Sequence, residues 1–336
     1  MALQLSWQLD TGAAAHWSLQ PGGWVQVAQA AEYAGFDHLY LPGGARPPDS
    51  LLVAAALCAH TRRLGLTVAL PAEAMLPAAL AATLQSLQSL SGGRARLHLP
   101  DSDRGSLRRA FGELLNRDQR SERIDEFLDI LLRLLHAPAC ALDHQGRYYQ
   151  LENAGLGLRE LPAPALLLDD SQGAERIAAR ADTCLLQAAT PAQLAPRIAR
   201  LRTAAEQAGR ALRVACRFGV ISRADETQAW AVAAERAPAA QGQPRHSGAT
   251  VQQLLAAREH HPARRDEIHP NLWQPDPDQP AWLVGSHAQV ATRLAELHGL
   301  GVDEVILHGA PAVRELLGFG EQVLPRLRQE EHAHAL

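Results

Sequence analysis

The chain has 336 residues, 47% of them apolar and 20% charged, which is enough for the core of one large α/β domain. The net charge is −4 and the sequence contains no lysine, so it has neither the basic stripe nor the lysine-rich tail of a nucleic-acid-binding protein. The first residues, MALQLSWQLD, lack the pattern of a signal peptide, and no apolar run is long enough to span a bilayer. We therefore expect a cytoplasmic protein with no nucleic-acid or membrane partner.

Short apolar runs that end at glycine or proline alternate with amphipathic helical patterns along the chain. The predicted strands cover residues 3–9, 36–41, 64–70, 94–99, 165–168, 184–187, 212–221 and 302–307. The predicted helices cover residues 24–34, 50–61, 76–90, 121–135, 172–181, 191–208 and 225–236, and two more flank the last strand. Ser121 is the expected N-cap of its helix, and Pro191 occupies a permitted early helical position.

Eight strands alternating with helices predict a parallel α/β sheet, and their number favours a closed (β/α)8 TIM barrel with insertions over an open sheet. Residues 1–329 are expected to form this single domain, and 330–336 a flexible tail. The stretch 238–282 is rich in proline, glutamine and histidine and is expected to be an insertion, with one helix near 251–260.

In a barrel of this type the site lies at the C-terminal ends of the strands. The loops there carry the acids Asp10, Glu73, Asp101, Asp103, Asp169 and Asp170, the arginines Arg46, Arg104, Arg217 and Arg223, and the histidines His16 and His308. No histidine or cysteine cluster has metal-ligand spacing, and Cys58, Cys140, Cys184 and Cys216 lie far apart with no CxxC pair. We therefore expect reduced thiols and no metal site.

The seventh strand is the most informative, because its residues alternate between bulky apolar side chains and a second set that includes Arg217. If the bulky set faces the helices, Arg217 points into the barrel, where a buried guanidinium needs a carboxylate or an anionic ligand. An internal ion pair and a ligand contact both remain open for Arg217. His308 is either an exposed loop histidine or a proton-transfer group, and Asp169 and Asp170 are either a capping pair or ligand contacts.

Four segments carry a family resemblance: GSHAQVATRLAELHGLGVDEVILHG, SERIDEFLDILLRLL, CRFGVISR and RADETQAWAVAAERA. With SWQLDTGAAAHW at the start and NLW at 271–273, they resemble the bacterial luciferase-like flavin-dependent monooxygenases, and among these the alkanesulfonate monooxygenases. The resemblance spans the whole chain. It implies an oligomeric TIM barrel in which reduced FMN, supplied by a separate flavin reductase, reacts with oxygen and attacks a small organosulfonate. Oligomers with a homologue are also open.

Carried across residue by residue, the resemblance makes His16 a cofactor contact and places the FMN phosphate loop at Asp169, Asp170 and Ser171. It also makes Arg217 the anion contact and leaves His308 as the titratable group of the last strand. Other site positions depart from the family pattern. Gly12, Pro47, Ile124, Gly219 and Ala310 stand where it has histidine, cysteine, tyrosine, histidine and tyrosine, and the lid is shortened to QPDPDQPAW.

Two aspartates at a phosphate loop would each oppose the phosphate by about 1–4 kcal/mol at a few ångströms. That amounts to roughly two powers of ten in affinity, so FMN is expected to bind weakly unless Arg176 or Arg217 compensates. The sequence therefore leaves three functions open. One is an FMN-dependent monooxygenase, and the second is a catalytically degenerate relative that acts as a binding or partner subunit. The third is a hydrolytic barrel whose acidic loop residues bind a metal or a cationic ligand.

Overall fold

The computed structural model describes residues 2–9, 21–43, 48–101, 105–157, 161–236, 262–277 and 279–334. The strands are β1 Gln4–Gln8, β2 His38–Leu41, β3 Gly65–Ala69, β4 Ala95–Leu99, β5 Leu142–Gln145, β6 Gln150–Ala154, β7 Ala165–Asp169, β8 Thr183–Gln187, β9 Arg213–Arg223, β10 Glu267–His269, β11 Leu272–Trp273, β12 Trp282–Ser286 and β13 Glu304–His308. The helices are α1 Pro21–Ala34, α2 Ser50–Cys58, α3 Pro77–Ser91, α4 Gly105–Ala110, α5 Arg117–His136, α6 Ala174–Arg180, α7 Pro191–Gln207, α8 Glu226–Arg236, α9 His287–Gly299, α10 Ala312–Gln322 and α11 Leu324–His334.

Eight parallel strands close into a barrel in the order β1, β2, β3, β4, β7, β8, β9 and β13, and β13 pairs back onto β1. These are the eight strands that the sequence predicts, so the (β/α)8 fold is confirmed. Alternate residues of each strand face the helices and form the main core, while the others fill the barrel interior.

Strand β9 is longer than the other barrel strands and pairs with three neighbours along its length. Residues 213–217 pair with β8, residues 215–219 pair with β13, and residues 219–223 pair with β12. Strand β12 in turn carries the antiparallel strands β11 and β10. The apolar run WLVGS of β12 was not predicted as a strand, and part of the expected insertion is therefore sheet. The helix expected near 251–260 lies outside the described residues.

Two local features differ from the sequence-based expectations. The patch around Tyr148, expected to be irregular, is the β5–β6 hairpin, which Glu126 holds by accepting hydrogen bonds from the backbone N–H groups of Tyr148 and Tyr149. Helix α5 begins one turn before Ser121, because Asn116 forms a capping box with Gln119.

The C-terminal stretch also differs from the expected tail. Helix α11 continues to His334, and within it the Glu331 carboxylate accepts a hydrogen bond from the backbone N–H of Leu3 at 2.7 Å. Through this hydrogen bond, the end of helix α11 contacts the start of the first barrel strand.

Candidate active site at the barrel mouth

Arg217 occupies the inner face of β9, as the strand's alternation predicts. Its neighbours Cys216 and Phe218 are fully buried in the core against the helices, and Ala215 packs inside the barrel with Ile306. Residue 217 shares the inward side with residue 215 because side chains alternate across a strand. Arg217 therefore points into the upper part of the barrel.

The guanidinium of Arg217 lacks partners in the described part of the chain. Its Nε is buried and donates no hydrogen bond, and no described carboxylate lies within the 4.0 Å of an ion pair. The internal ion pair left open by the sequence is therefore not formed with any described acid. A buried donor without an acceptor is costly, which makes Arg217 a position where a ligand would be stabilised.

His308 ends β13 next to Arg217 and is half-buried, so the exposed loop histidine considered from the sequence is wrong. Its ring meets the ring of Trp282 edge to face, with centroids 4.7 Å apart. Burial lowers the pKa of His308 to about 4, and the positive charges of Arg217 and Arg236 contribute in the same direction. The imidazole is consequently neutral at neutral pH, with one nitrogen able to donate and the other to accept.

Gly219, on the inner face of β9, leaves room for the ring of a neighbouring residue. It pairs with both Trp282 and His308 across the sheet. A Cβ atom at residue 219 would overlap ring atoms of Trp282. The indole of Trp282 thus fills the space that a larger residue 219 would occupy, and Trp282 stands in the mouth because β12 brings it there.

Below Arg217, three side chains from three strands form a hydrogen-bonded chain. The Tyr40 hydroxyl lies 2.8 Å from Nδ1 of His98, and Nε2 of His98 lies 3.2 Å from Oδ1 of Asp169. The other oxygen of Asp169 accepts from the backbone N–H of Asp101 at 2.8 Å. The sequence reading missed Tyr40 and His98. The signal was the alternation of polar residues in RARLHLP, which puts His98 on the inner face of β4.

Asp169 is ionised in this arrangement. Burial alone would raise its pKa, but His98, the hydrogen bonds from His98 and Asp101, and the charge of Arg217 together lower it. The carboxylate therefore accepts a hydrogen bond from Nε2 of His98, and Nδ1 of His98 shares a second hydrogen bond with the Tyr40 hydroxyl. Burial raises the pKa of Tyr40 and keeps its hydroxyl protonated.

The loop after β7, where the resemblance places the phosphate, is internally satisfied. Asp170 forms an ion pair with Arg197 of α7. Ser171 donates from its hydroxyl to Asp101 at 2.9 Å. Asp169 makes no capping bond and turns toward His98. The picture of two uncompensated acids facing a phosphate is therefore wrong for Asp170, whose counter-charge is Arg197.

The remaining candidate charges serve the scaffold or lie outside the described residues. Arg176 pairs with Asp125 on α5, and its Nη1 donates to the carbonyl oxygen of Gln172 in the loop after β7 at 3.1 Å, so it is committed to the scaffold. Glu73 pairs with Arg123, and Arg223 pairs with Glu315. Those outside the described residues are Asp10, His16, Arg46, Asp103 and Arg104.

Two further classes of site can be judged within the described ranges. No cluster of three or more histidine, cysteine, aspartate or glutamate side chains there could hold a metal ion. Among the described helices, none combines the length and the hydropathy needed to cross a bilayer. All four cysteines are free thiols, and only Cys140 is exposed.

The sequence profile of the luciferase-like monooxygenases matches residues 6–304 of this chain. The chain belongs to the luciferase-like monooxygenase family. The enzymes of this family depend on flavin or on the related cofactor F420, and act on small molecules.

Solved structures share this fold along almost the whole chain. EDTA monooxygenase from Chelativorans sp. BNC1 is 17% identical, with 98% of this chain and 95% of that chain covered and a TM-score of 0.78. A riboflavin lyase, crystallised with modified FMN and riboflavin, is 20% identical with coverages of 98% and 92% and the same TM-score. An F420-dependent secondary alcohol dehydrogenase with an F420–acetone adduct is 17% identical, with coverages of 98% and 100% and a TM-score of 0.74.

Proposed function

We propose that this protein is a reduced-FMN-dependent monooxygenase of the alkanesulfonate monooxygenase type, acting on a small organosulfonate or a related organic anion. The observation that carries the proposal is the buried Nε of Arg217, which has no acceptor among the described residues, beside the neutral His308. The ring system of reduced FMN is an anion near neutral pH, and a guanidinium with a free donor suits such a group.

Reduced FMN, when bound, would supply the electrons that activate molecular oxygen for transfer of one oxygen atom to the substrate. The side chains of the mouth have separate tasks. Arg217 binds the negative charge of the ring, and the neutral His308 can hold a proton on one ring nitrogen and accept one at the other. The buried Tyr40, His98 and Asp169 form a rigid floor that keeps a carboxylate ionised under Arg217.

The phosphate end of the cofactor would meet a less suitable loop. The hydroxyl of Ser171 is engaged by Asp101, and Asp170 occupies Arg197. A phosphate could gain the Arg197 contact only by displacing Asp170, and that displacement has a cost. We therefore still expect weaker FMN binding than a glycine- and serine-rich loop would give, with Arg197 as the compensating cation. His16 stays a proposed cofactor contact by resemblance.

The decisive measurement is an anaerobic titration of the purified protein with reduced FMN, followed by fluorescence quenching. Binding of reduced FMN that Arg217→Gln weakens supports the proposal, with Arg200→Gln, on the exposed face of α7, as the matched control. Absence of binding at millimolar reduced FMN would overturn it. Tight binding of F420 in the same titration, without FMN binding, would instead reassign the cofactor.

A second assay tests the reaction and its partner. The protein is combined with a flavin reductase, NADH, oxygen and a panel of alkanesulfonates, and sulfite release is measured. Sulfite production that requires both proteins supports the organosulfonate assignment and a reductase partner. FMN binding without sulfite from any member of the panel would leave a monooxygenase with a different substrate class.

We further propose that the protein is a homo-oligomer, which the outer face of α2 and α3 supports. Neither helix contains a charged residue. Leu52 and Leu90 are 73% and 62% exposed there, and a charge-free face with exposed leucines is typical of a buried interface. Leu52→Glu should lower the mass measured by light scattering, whereas Leu114→Glu, at another exposed leucine, should not.

The alternative, a catalytically degenerate partner subunit, is not favoured. A buried arginine without a described acceptor costs stability, and a protein with no use for the site would gain by replacing it. The presence of Arg217 therefore favours a working site. The free thiols and the single barrel suit a cytoplasmic enzyme of one domain.

A further inference from the structure

A second arginine reaches the mouth beside His308. Arg236 is the last residue of α8, and its guanidinium carbon lies 5.3 Å from the ring centroid of Trp282, in cation–π contact. The same indole covers Gly219, and its ring packs at a steep angle against the ring of His308. Trp282 thus contacts both Arg236 and His308 and holds the two side chains near each other.

The hydrogen-bonding capacity of Arg236 is only partly used within the described residues. Its Nη2 donates to the carbonyl oxygen of Ala310. Its Nη1 is buried and has no described acceptor. Like Nε of Arg217, this atom is a buried donor that a ligand oxygen could satisfy.

The charges around Arg236 do not balance. The nearest described carboxylate is Glu315, 3.9 Å from Nη2 of Arg236. Both oxygens of Glu315 already accept from Arg223, at 2.7 and 2.9 Å. Two arginines therefore share one carboxylate, and among the described residues Arg236 has only this 3.9 Å ion pair, with Nη1 left without an acceptor.

The pKa of His308 is also affected by the excess of positive charge around Arg236. The positive charges of Arg217 and Arg236 both act to lower the pKa of His308, and burial adds to them. Removal of one of these charges, or its neutralisation by an anion, would raise that pKa. The pKa of His308 should therefore show whether an anion is bound at Arg236.

We propose that Arg236, supported by Trp282 and next to His308, binds the oxyanion group of the organic substrate: a sulfonate or a carboxylate. This assignment rests on the proposed function, in which Arg217 binds the reduced cofactor, and it makes Arg236 the residue that selects anionic substrates. Gly219 is part of the same subsite, since the space above it admits the indole on which Arg236 lies.

Calorimetry with methanesulfonate, and with neutral dimethyl sulfone as its isostere, tests the proposal on the cofactor-free protein. Methanesulfonate should bind and the sulfone should not. Arg236→Gln should weaken methanesulfonate binding by about tenfold or more, the effect of losing a charge-assisted hydrogen bond. The control Arg200→Gln should leave it unchanged. Equal binding of sulfonate and sulfone, or no effect of Arg236→Gln, would overturn the assignment.

A titration of ¹⁵N-histidine-labelled protein by NMR gives a readout that does not depend on turnover. The signal of His308 is identified by its absence in His308→Asn. Its pKa should rise by about one unit on addition of methanesulfonate, and also in Arg236→Gln without any ligand. A His308 pKa that responds to neither change would contradict the subsite, even if the variant folds normally.

Titration of both arginine variants with reduced FMN distinguishes the substrate role of Arg236 from the proposed cofactor role of Arg217. Arg236→Gln should leave the affinity for reduced FMN unchanged, while Arg217→Gln should weaken it. Weaker reduced-FMN binding in Arg236→Gln would assign Arg236 to the cofactor and overturn the substrate role. If methanesulfonate binds at Arg236 but reduced FMN does not bind the protein at all, the oxyanion subsite stands and the proposed monooxygenase fails.

Discussion

Two of the arginines on the inner face of this barrel, Arg96 and Arg217, have opposite surroundings. Arg96, near the lower end of β4, donates two hydrogen bonds to Glu304, at 2.8 and 3.2 Å, and Ser6 donates a third to the same carboxylate. Arg217, at the upper end of β9, has a buried Nε with no described acceptor.

The different surroundings of Arg96 and Arg217 indicate which end of the barrel binds a ligand. Burying an arginine is tolerable when a carboxylate and further hydrogen bonds satisfy it, and the lower barrel provides both. The upper barrel places Asp169 near Arg217 but commits that carboxylate to His98 and Asp101. Arg217, whose Nε has no described acceptor, therefore lies at the C-terminal end of the barrel strands, where TIM barrels carry their sites.

The largest effect is expected at the paired arginine. Glu304→Gln leaves Arg96 buried without its counter-charge and should lower the free energy of unfolding by about 3–5 kcal/mol. Glu206→Gln, at an exposed residue of α7, should stay within about 0.5 kcal/mol of the wild type. Urea denaturation measures both. A Glu304→Gln variant as stable as wild type would show that the Arg96–Glu304 pair contributes nothing to stability.

The same pair predicts a pH dependence. Burial alone would raise the pKa of Glu304, but Arg96, His38 and the hydrogen bonds from Arg96 and Ser6 lower it from 4.5 to about 2. A carboxylate whose pKa falls on folding contributes stability that is fully present above its unfolded pKa and is lost as the pH falls toward the folded value. Thermal unfolding between pH 5 and about 2 should therefore lose this contribution in wild type and show less of a change in Glu304→Gln.

At Arg217, a substitution should change ligand affinity more than stability. Arg217→Gln removes no described partner, so its free energy of unfolding should change by less than about 0.5 kcal/mol. Its dissociation constant for reduced FMN should rise by about ten- to a hundredfold, as expected for a charge-assisted hydrogen bond. Arg200→Gln is the control for both measurements. A large loss of stability in Arg217→Gln, without a change in affinity, would mean that the arginine is structural.

The packing of the mouth can be tested at Gly219. Gly219→Ala would place a methyl group in the ring of Trp282 and should cost about 1–3 kcal/mol of stability, as overpacking does. The smaller side chain in Gly219→Ala/Trp282→Leu should restore most of this loss. Gly299→Ala, where the added atom meets nothing, is the control. An undiminished loss in the double variant would show that the indole is not the obstacle.

The smallest effect concerns the phosphate loop. Asp170→Asn removes the charge that occupies Arg197 and should strengthen FMN binding by a few-fold, up to about tenfold. Asp118→Asn, an exposed position at the start of α5, should not change it. Unchanged or weaker binding in Asp170→Asn would mean that the phosphate does not use Arg197, and Asp170 would then drop out of the cofactor site.

Much of the scaffold could be predicted from the sequence because it is encoded locally. Period-two alternation and glycine or proline stops locate all eight barrel strands, and the alternation along β9 points Arg217 inward. The missed elements have weaker local signals. The β5–β6 hairpin depends on Glu126 from another element, and the short run of β12 lies in a proline-rich stretch.

The site was less predictable, because its contacts join residues that are far apart in the chain. Tyr40, His98 and Asp169 come from three strands, and Asp170 meets Arg197 only because α7 packs beside the loop. Composition and periodicity thus determined the barrel and the direction of Arg217. Closure of the barrel decided which charges are paired and which donor is left free, since a side chain finds its partner through strand register rather than sequence distance.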